Sequence, residues 1–135
     1  MLKYMLDTDT TIYTIKNRPP TVREIFKKHS GQICVSTVTL SELIYGAEKS
    51  AQPERNLADV EGMMARLEVL VFDESAAAHA GQIRAELARK ATPIGPYDVM
   101  IAGHARSQGL ILVTNNTREF TRVSGLRLVN WLASS

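Results

Sequence analysis

Lys3-Tyr4-Met5-Leu6-Asp7-Thr8-Asp9-Thr10 begins as a short buried strand and then turns abruptly polar. The strand ends on an acid, and the residues after it are types that cap helices, so a helix is expected over Thr11 to Ile15. Outward from this stretch, strand and helix keep alternating. Pro19-Pro20 breaks the chain, Val22, Ile25 and Phe26 recur at helical spacing through Thr21 to His29, and Gln32 to Val35 reads as a second strand. Leu40, Leu43, Ile44 and Ala47 share one face of a helix over Thr39 to Lys49. Pro53 starts another with Leu57, Val60, Met63, Met64 and Leu67 inward, and the two form an arm. A third strand follows over Glu68 to Phe72. A long helix over Ser75 to Ala91 is closed off by Thr92-Pro93-Ile94-Gly95-Pro96, and another over Tyr97 to Gln108 ends at Gly109. Leu110 to Thr114 is the most apolar strand, and a short element at Leu126 to Val129 finishes the chain.

Such alternation predicts an α/β fold, with a central parallel sheet of about four to five strands flanked by helices. At 135 residues the chain is one domain, 1–135, with no repeat or linker. A 44% hydrophobic and 22% charged composition is that of an ordinary soluble protein, excluding disordered and fibrous classes. The formal net charge of +2 is compatible with a polyanionic partner without demonstrating one. The sole cysteine, Cys34, lies in an apolar run and reads as a buried reduced thiol. No signal peptide is evident, and no apolar stretch approaches the roughly 20 residues needed to cross a bilayer, so a cytoplasmic protein without a membrane partner is expected.

In parallel sheets of this kind the site lies beyond the carboxyl ends of the strands. Asp7 stands at one such end and Asn115-Asn116-Thr117 at another. Glu42 and Asp98 each fall in the first turn of an expected helix, on the same rim. Each acid also has a plainer use: Asp7 or Asp9 as a helix cap, Glu42 closing the capping box Thr39-Leu40-Ser41-Glu42, and Asp98 offsetting a helix dipole. The set is more informative than its members, because like charges gathered together repel unless a cation joins them. Mg²⁺, with Mn²⁺ as a substitute, suits oxygen ligands and is commonly held by one or two carboxylates plus substrate phosphate, which points to phosphodiester chemistry. His29, His79 and His104 lack the spacing of a zinc site, and neither a phosphate-binding glycine loop nor a serine nucleophile elbow is present.

Four ordered blocks carry a resemblance: Met5-Leu6-Asp7-Thr8-Asp9, Ser41-Glu42-Leu43-Ile44-Tyr45-Gly46, Pro96-Tyr97-Asp98-Val99-Met100-Ile101-Ala102 and Val113-Thr114-Asn115-Asn116-Thr117-Arg118-Glu119-Phe120. Together they are similar to the PIN-domain VapC toxins, and the second block resembles the enterobacterial-type members. The resemblance implies a single PIN domain, with Asp7, Glu42 and Asp98 as catalytic acids, Asp7 and Asp98 as the direct metal ligands, and Glu42 holding or activating water. It makes Asp9 and Thr114 supporting residues. The family's fourth acidic position falls on Asn116, where an amide brings no charge, and Glu119 stands three residues on as a substitute. It further implies a type II toxin-antitoxin system and an endoribonuclease cutting initiator tRNA in the anticodon stem-loop. Its expected partners are a VapB-type antitoxin seated on the arm at Leu43 to Met64 and a second toxin copy, a homodimer that joins the antitoxin in a larger complex. Arg84, Arg89, Lys90 and Arg118 are candidate contacts to RNA phosphates.

Two other functions compete. A receiver-like phosphoacceptor domain also gathers acids at strand ends, but it wants an acceptor Asp after a middle strand and a late Lys, and no lysine follows Lys90. A catalytically silent PIN-like binding module is suggested by Asn116.

Overall fold

The computed structural model describes residues 1–132. In chain order the elements are β1 (Tyr4–Leu6), α1 (Thr8–Lys16), α2 (Pro20–Lys28), β2 (Ile33–Ser36), α3 (Thr37–Glu48), α4 (Pro53–Met64), β3 (Glu68–Leu70), α5 (Glu74–Arg89), α6 (Pro96–Ser107), β4 (Ile111–Val113), α7 (Thr117–Phe120) and β5 (Leu128–Val129). The strands form one parallel sheet in the order β3-β2-β1-β4-β5. The chain moves outward one way from β1 through β2 to β3, then returns to β1's other side for β4. That reversal opens a crevice beyond the carboxyl ends of β1 and β4, where open α/β sheets bind ligands.

The central strands β1, β2 and β4 are buried on both faces, as parallel strands are when helices cover each side, and the edge strands β3 and β5 are only partly so. Successive residues supply opposite cores. Met5, Cys34 and Leu112 pack with Ala80, Ile83, Leu87, Ile101 and Ala105 of α5 and α6. Tyr4, Leu6, Val35 and Val113 pack with Val22, Phe26, Met63 and Trp131 on the other side. Burial pushes the Cys34 thiol up to about 12, so it is an inert core group.

Three sequence expectations need correction. The arm helix α3 starts at Thr37, not Thr39, because the Ser36 side chain accepts the Val38 N–H at 3.1 Å and caps it. Thr39 and Glu42 therefore form no capping box, and Glu42 is the sixth residue of α3, past the first turn. The third strand stops at Leu70, because its partner β2 ends at Ser36. Val71 is then 71% exposed, and the Phe72 N–H turns to the Thr37 hydroxyl at 3.1 Å. Finally, α7 was not anticipated, since four residues are too few to show a period.

Candidate active site

Asp7 leaves β1 and caps α1, its Oδ1 accepting the Thr10 N–H at 2.9 Å. Its backbone N–H reaches across to the Val113 carbonyl at 3.0 Å, pinning it beside the end of β4. The side chain is buried, and that burial raises its pKa; hydrogen bonds from Thr114 and Thr10 oppose the rise and Asp9 adds to it. The cap and the rim position are thus compatible: Oδ1 serves the helix while the carboxylate as a whole stays at the end of β1 beside Thr114.

Glu42 is brought to the same rim from the arm. Thr8 Oγ1 donates to Glu42 Oε1 at 2.6 Å and lies 3.2 Å from the Thr39 hydroxyl. Thr8 was not singled out from the sequence. Its position between two acids was the available signal, but its partner is 34 residues away.

Asp98 is the third residue of α6, whose first turn Pro96 starts. Its pKa is pushed up to about 6, first by burial and then by the charges of Asp7, Glu42, Glu119 and Asp9. Acids of α1 and its cap, α3 and α7 thus act on one carboxyl group of α6. On the opposite side Asn116 Nδ2 donates to Glu119 Oε2 at 3.0 Å, and the Asn116 N–H donates to Thr114 Oγ1 at 2.9 Å. Asn116 therefore holds an acid that faces the cluster.

Among the described residues no three His, Cys, Asp or Glu side chains close into a ready ligand cage. The donor set nonetheless fits a hard divalent cation of the Mg²⁺ kind. It is all oxygen, the neighbouring carboxylates act unfavourably on the charge of Asp98, and such an ion needs only one or two carboxylates beside water and phosphate. The histidines stay apart: His29 stacks on Trp131, His79 accepts from Arg106 at 2.9 Å, and His104 is buried against Ser36 Oγ at 2.8 Å.

The expected phosphate contacts do not gather here as a group. Arg118 lies in α7 next to Glu119, whereas Arg84 and Arg89 are on α5 and Lys90 follows it. Arg84 lines a separate apolar hollow with Leu87, Ile94 and Val99, and Lys90 is paired with Glu86 at 3.1 Å.

Comparison with known proteins decides the family. The PIN domain family matches residues 4–126. The chain is 65% identical to the "tRNA(fMet)-specific endonuclease VapC" of Shigella flexneri, over 97% of this chain and 99% of that protein. This chain belongs to the VapC group of PIN-domain proteins. The VapC fold extends to solved structures. One chain in the crystal structure of DNA-bound VapBC from Salmonella typhimurium superposes with a TM-score of 0.94 at 64% identity, covering 97% of this chain and 99% of that one. A second, in VapBC2 from Rickettsia felis bound to a promoter DNA fragment, gives 0.91 at 34% identity, with 96% and 99% covered. The five-stranded parallel sheet is therefore the VapC PIN fold, and the receiver-like alternative falls away. No helix among the described residues is long and apolar enough to span a membrane.

Proposed function

We propose that this chain, as one PIN domain over 1–135, is the toxin of a type II toxin-antitoxin pair: a divalent-metal-dependent endoribonuclease that cuts initiator tRNA in the anticodon stem-loop. Residues 133–135 lie outside the described part of the structure. The observation that supports it is the convergence of acids from α1 and its cap, α3 and α7 on Asp98 of α6, at the crevice where the strand order reverses. Asp7 and Asp98 are the ligands for Mg²⁺ or Mn²⁺, and Glu42 accepts a proton from the attacking water. Bound there, the cation supplies Lewis-acid polarisation of the scissile phosphate and offsets its charge. Thr8 donates to Glu42 Oε1 and so restrains the carboxylate, while Oε2 takes the proton. Asp9, Thr114, Asn116 and Glu119 support this set by charge and hydrogen bonding.

The restraint on this activity is a VapB-type antitoxin, and the toxin is a homodimer within the larger complex. A cleft of about 340 Å³ between α1, α3 and α4 is lined by Ile12, Ile15, Leu43, Ala47 and Val60, and Glu42 also lines it. An amphipathic antitoxin helix laid there would cover the approach to the acids.

Sequencing the 5′ ends of cellular RNA after brief induction tests the function. New ends confined to the initiator tRNA anticodon loop are expected, and their absence with active protein would remove that substrate. Thr8→Val is expected to lower cleavage by roughly 10- to 100-fold, as loss of an orienting partner does, with Thr8→Ser restoring it. Single-turnover rates on a labelled RNA check this, and an unchanged Thr8→Val rate would show that Glu42 needs no such hold.

A further inference from the structure

On the far side of the same cleft the surface changes character. Lys16, the last residue of α1, lines the cleft that Glu42 also lines. Two further hollows adjoin it through Ile15 and Asp59. One is bordered by Lys16, Arg18 and Arg55, the other by Arg23 and Arg66. Arg55, Asp59 and Arg66 follow one another at helical intervals along a single stripe of α4 and the residues just beyond it, so the stripe faces the end of α1. Five cations thus border a continuous path that includes one acid, Asp59.

These charges are not consumed by the fold. The one close ion pair among the described residues is Lys90 with Glu86, on α5. Arg106 spends its guanidinium on His79, Ser124 and Gln82. By contrast Arg55 donates only to the neutral Gln52, and Arg23 to the backbone carbonyls of Thr14 and Ile15 in the last turn of α1, whose dipole offsets its charge only in part. Lys16, Arg18 and Arg66 form no ion pair among the described residues and are exposed. Exposed cations grouped at the end of a cleft, without carboxylate partners, are the electrostatic footprint of a polyanion. From Asp7 to Lys16 is nine residues of helix, about 13 Å. A strand whose scissile phosphate sits at the acids therefore meets these cations within a few nucleotides.

We infer that the basic rim formed by Lys16, Arg18, Arg23, Arg55 and Arg66 is an RNA backbone track, which holds phosphates flanking the cut while the α1–α3–α4 cleft carries the strand to Glu42. It rests on the nuclease function proposed above and adds the substrate's path. It also accounts for inhibition by occupancy, since a helix in the cleft lies across that path.

The test measures binding of a fluorescent RNA hairpin to the metal-free protein by anisotropy across a salt series, with cleavage of the same RNA in Mn²⁺ followed separately. The triple variant Arg18→Gln, Arg55→Gln, Arg66→Gln changes exposed side chains outside the acid cluster. It is expected to weaken binding by roughly 10- to 100-fold near 0.1 M salt and to reduce the slope of log affinity against log salt by about two, at about 0.7 per lost phosphate contact on a single strand. Arg84→Gln, Arg89→Gln, Lys90→Gln removes the same charge from α5 and is expected to cost less. An equal or reversed ranking of the two triples, or an unchanged slope in the first, would overturn the track and leave the nuclease function intact. Loss of antitoxin binding with RNA binding unchanged would also overturn it, assigning the rim to a protein partner. A wild-type chain that binds the hairpin but never cleaves RNA would defeat the nuclease proposal instead.

Discussion

Asp98→Asn is expected to reduce metal-dependent RNA cleavage by roughly a hundred- to a thousandfold while making the metal-free protein more stable. Both effects have one cause. Asp98 is withdrawn from water by burial and also sits in the field of Asp7, Glu42, Glu119 and Asp9, and its pKa is raised to about 6 from an ordinary 3.8. A carboxyl group with a raised folded pKa binds its proton more tightly in the native state. Its stabilising effect is present in full below the unfolded value and is lost as pH rises through the folded one. Between about pH 4 and pH 6 the metal-free fold therefore loses stability, on the order of 1–3 kcal/mol, and above that the loss is complete. Asn cannot ionise. The variant should exceed the wild type by about 1–2 kcal/mol at pH 8, after a small loss of helix-dipole stabilisation, and match it near pH 4. Urea unfolding of both metal-free proteins at the two pH values checks this. Identical stability at pH 8 would mean that neither burial nor the neighbouring acids penalise the Asp98 carboxylate. The same linkage makes affinity for Mn²⁺ rise with pH through about 6, because the cation competes with the proton for Asp98. Calorimetry on either side of that pH measures it.

Gly103→Ala should be the most damaging single-methyl change in the chain. A Cβ at this position would lie 2.5 Å from the backbone N of Ala80, 2.7 Å from its Cα and 2.9 Å from its Cβ. The first two are backbone atoms of α5, so no rotamer relieves the clash and the two helices must separate. Both belong to the core that also contains Ile83, Leu87, Ile101 and Leu112. A loss of about 3 kcal/mol, or about 10 °C in Tm, is expected despite the better helix propensity of alanine. Ala80→Gly should not rescue it, because the backbone atoms stay where they are. Gly62→Ala is the reference: its Cβ meets nothing within 4 Å, so the substitution should stabilise by up to about 1 kcal/mol. Thermal unfolding of the three variants decides the matter, and a Gly103→Ala protein as stable as the wild type would show that α5 and α6 can slide apart at little cost.

Much of the fold was legible because its signals are local. An apolar run closed by Asp7, Pro96 opening α6 and the spacing of Leu40, Leu43 and Ala47 all concern residues within a turn or a strand of one another. Errors arose where a partner was needed. The start of α3 depends on Ser36 being both the end of β2 and a helix cap, and the length of β3 depends on where β2 stops. Thr8 looked like one more polar turn residue until its hydroxyl met Glu42 on another helix.

By itself the sequence determined which acids the chain carries, that Asp7 ends β1 and Asp98 falls in the first turn of α6, and that a parallel sheet would expose such groups at one rim. Periodicity and capping are short-range effects that survive in a linear reading. Only the tertiary structure decided that Asp7, Glu42, Asp98 and Glu119 share one electrostatic field. Charge interaction depends on distance through space, and that distance is set by the strand order β3-β2-β1-β4-β5, which brings residues about a hundred positions apart in the chain to the same crevice.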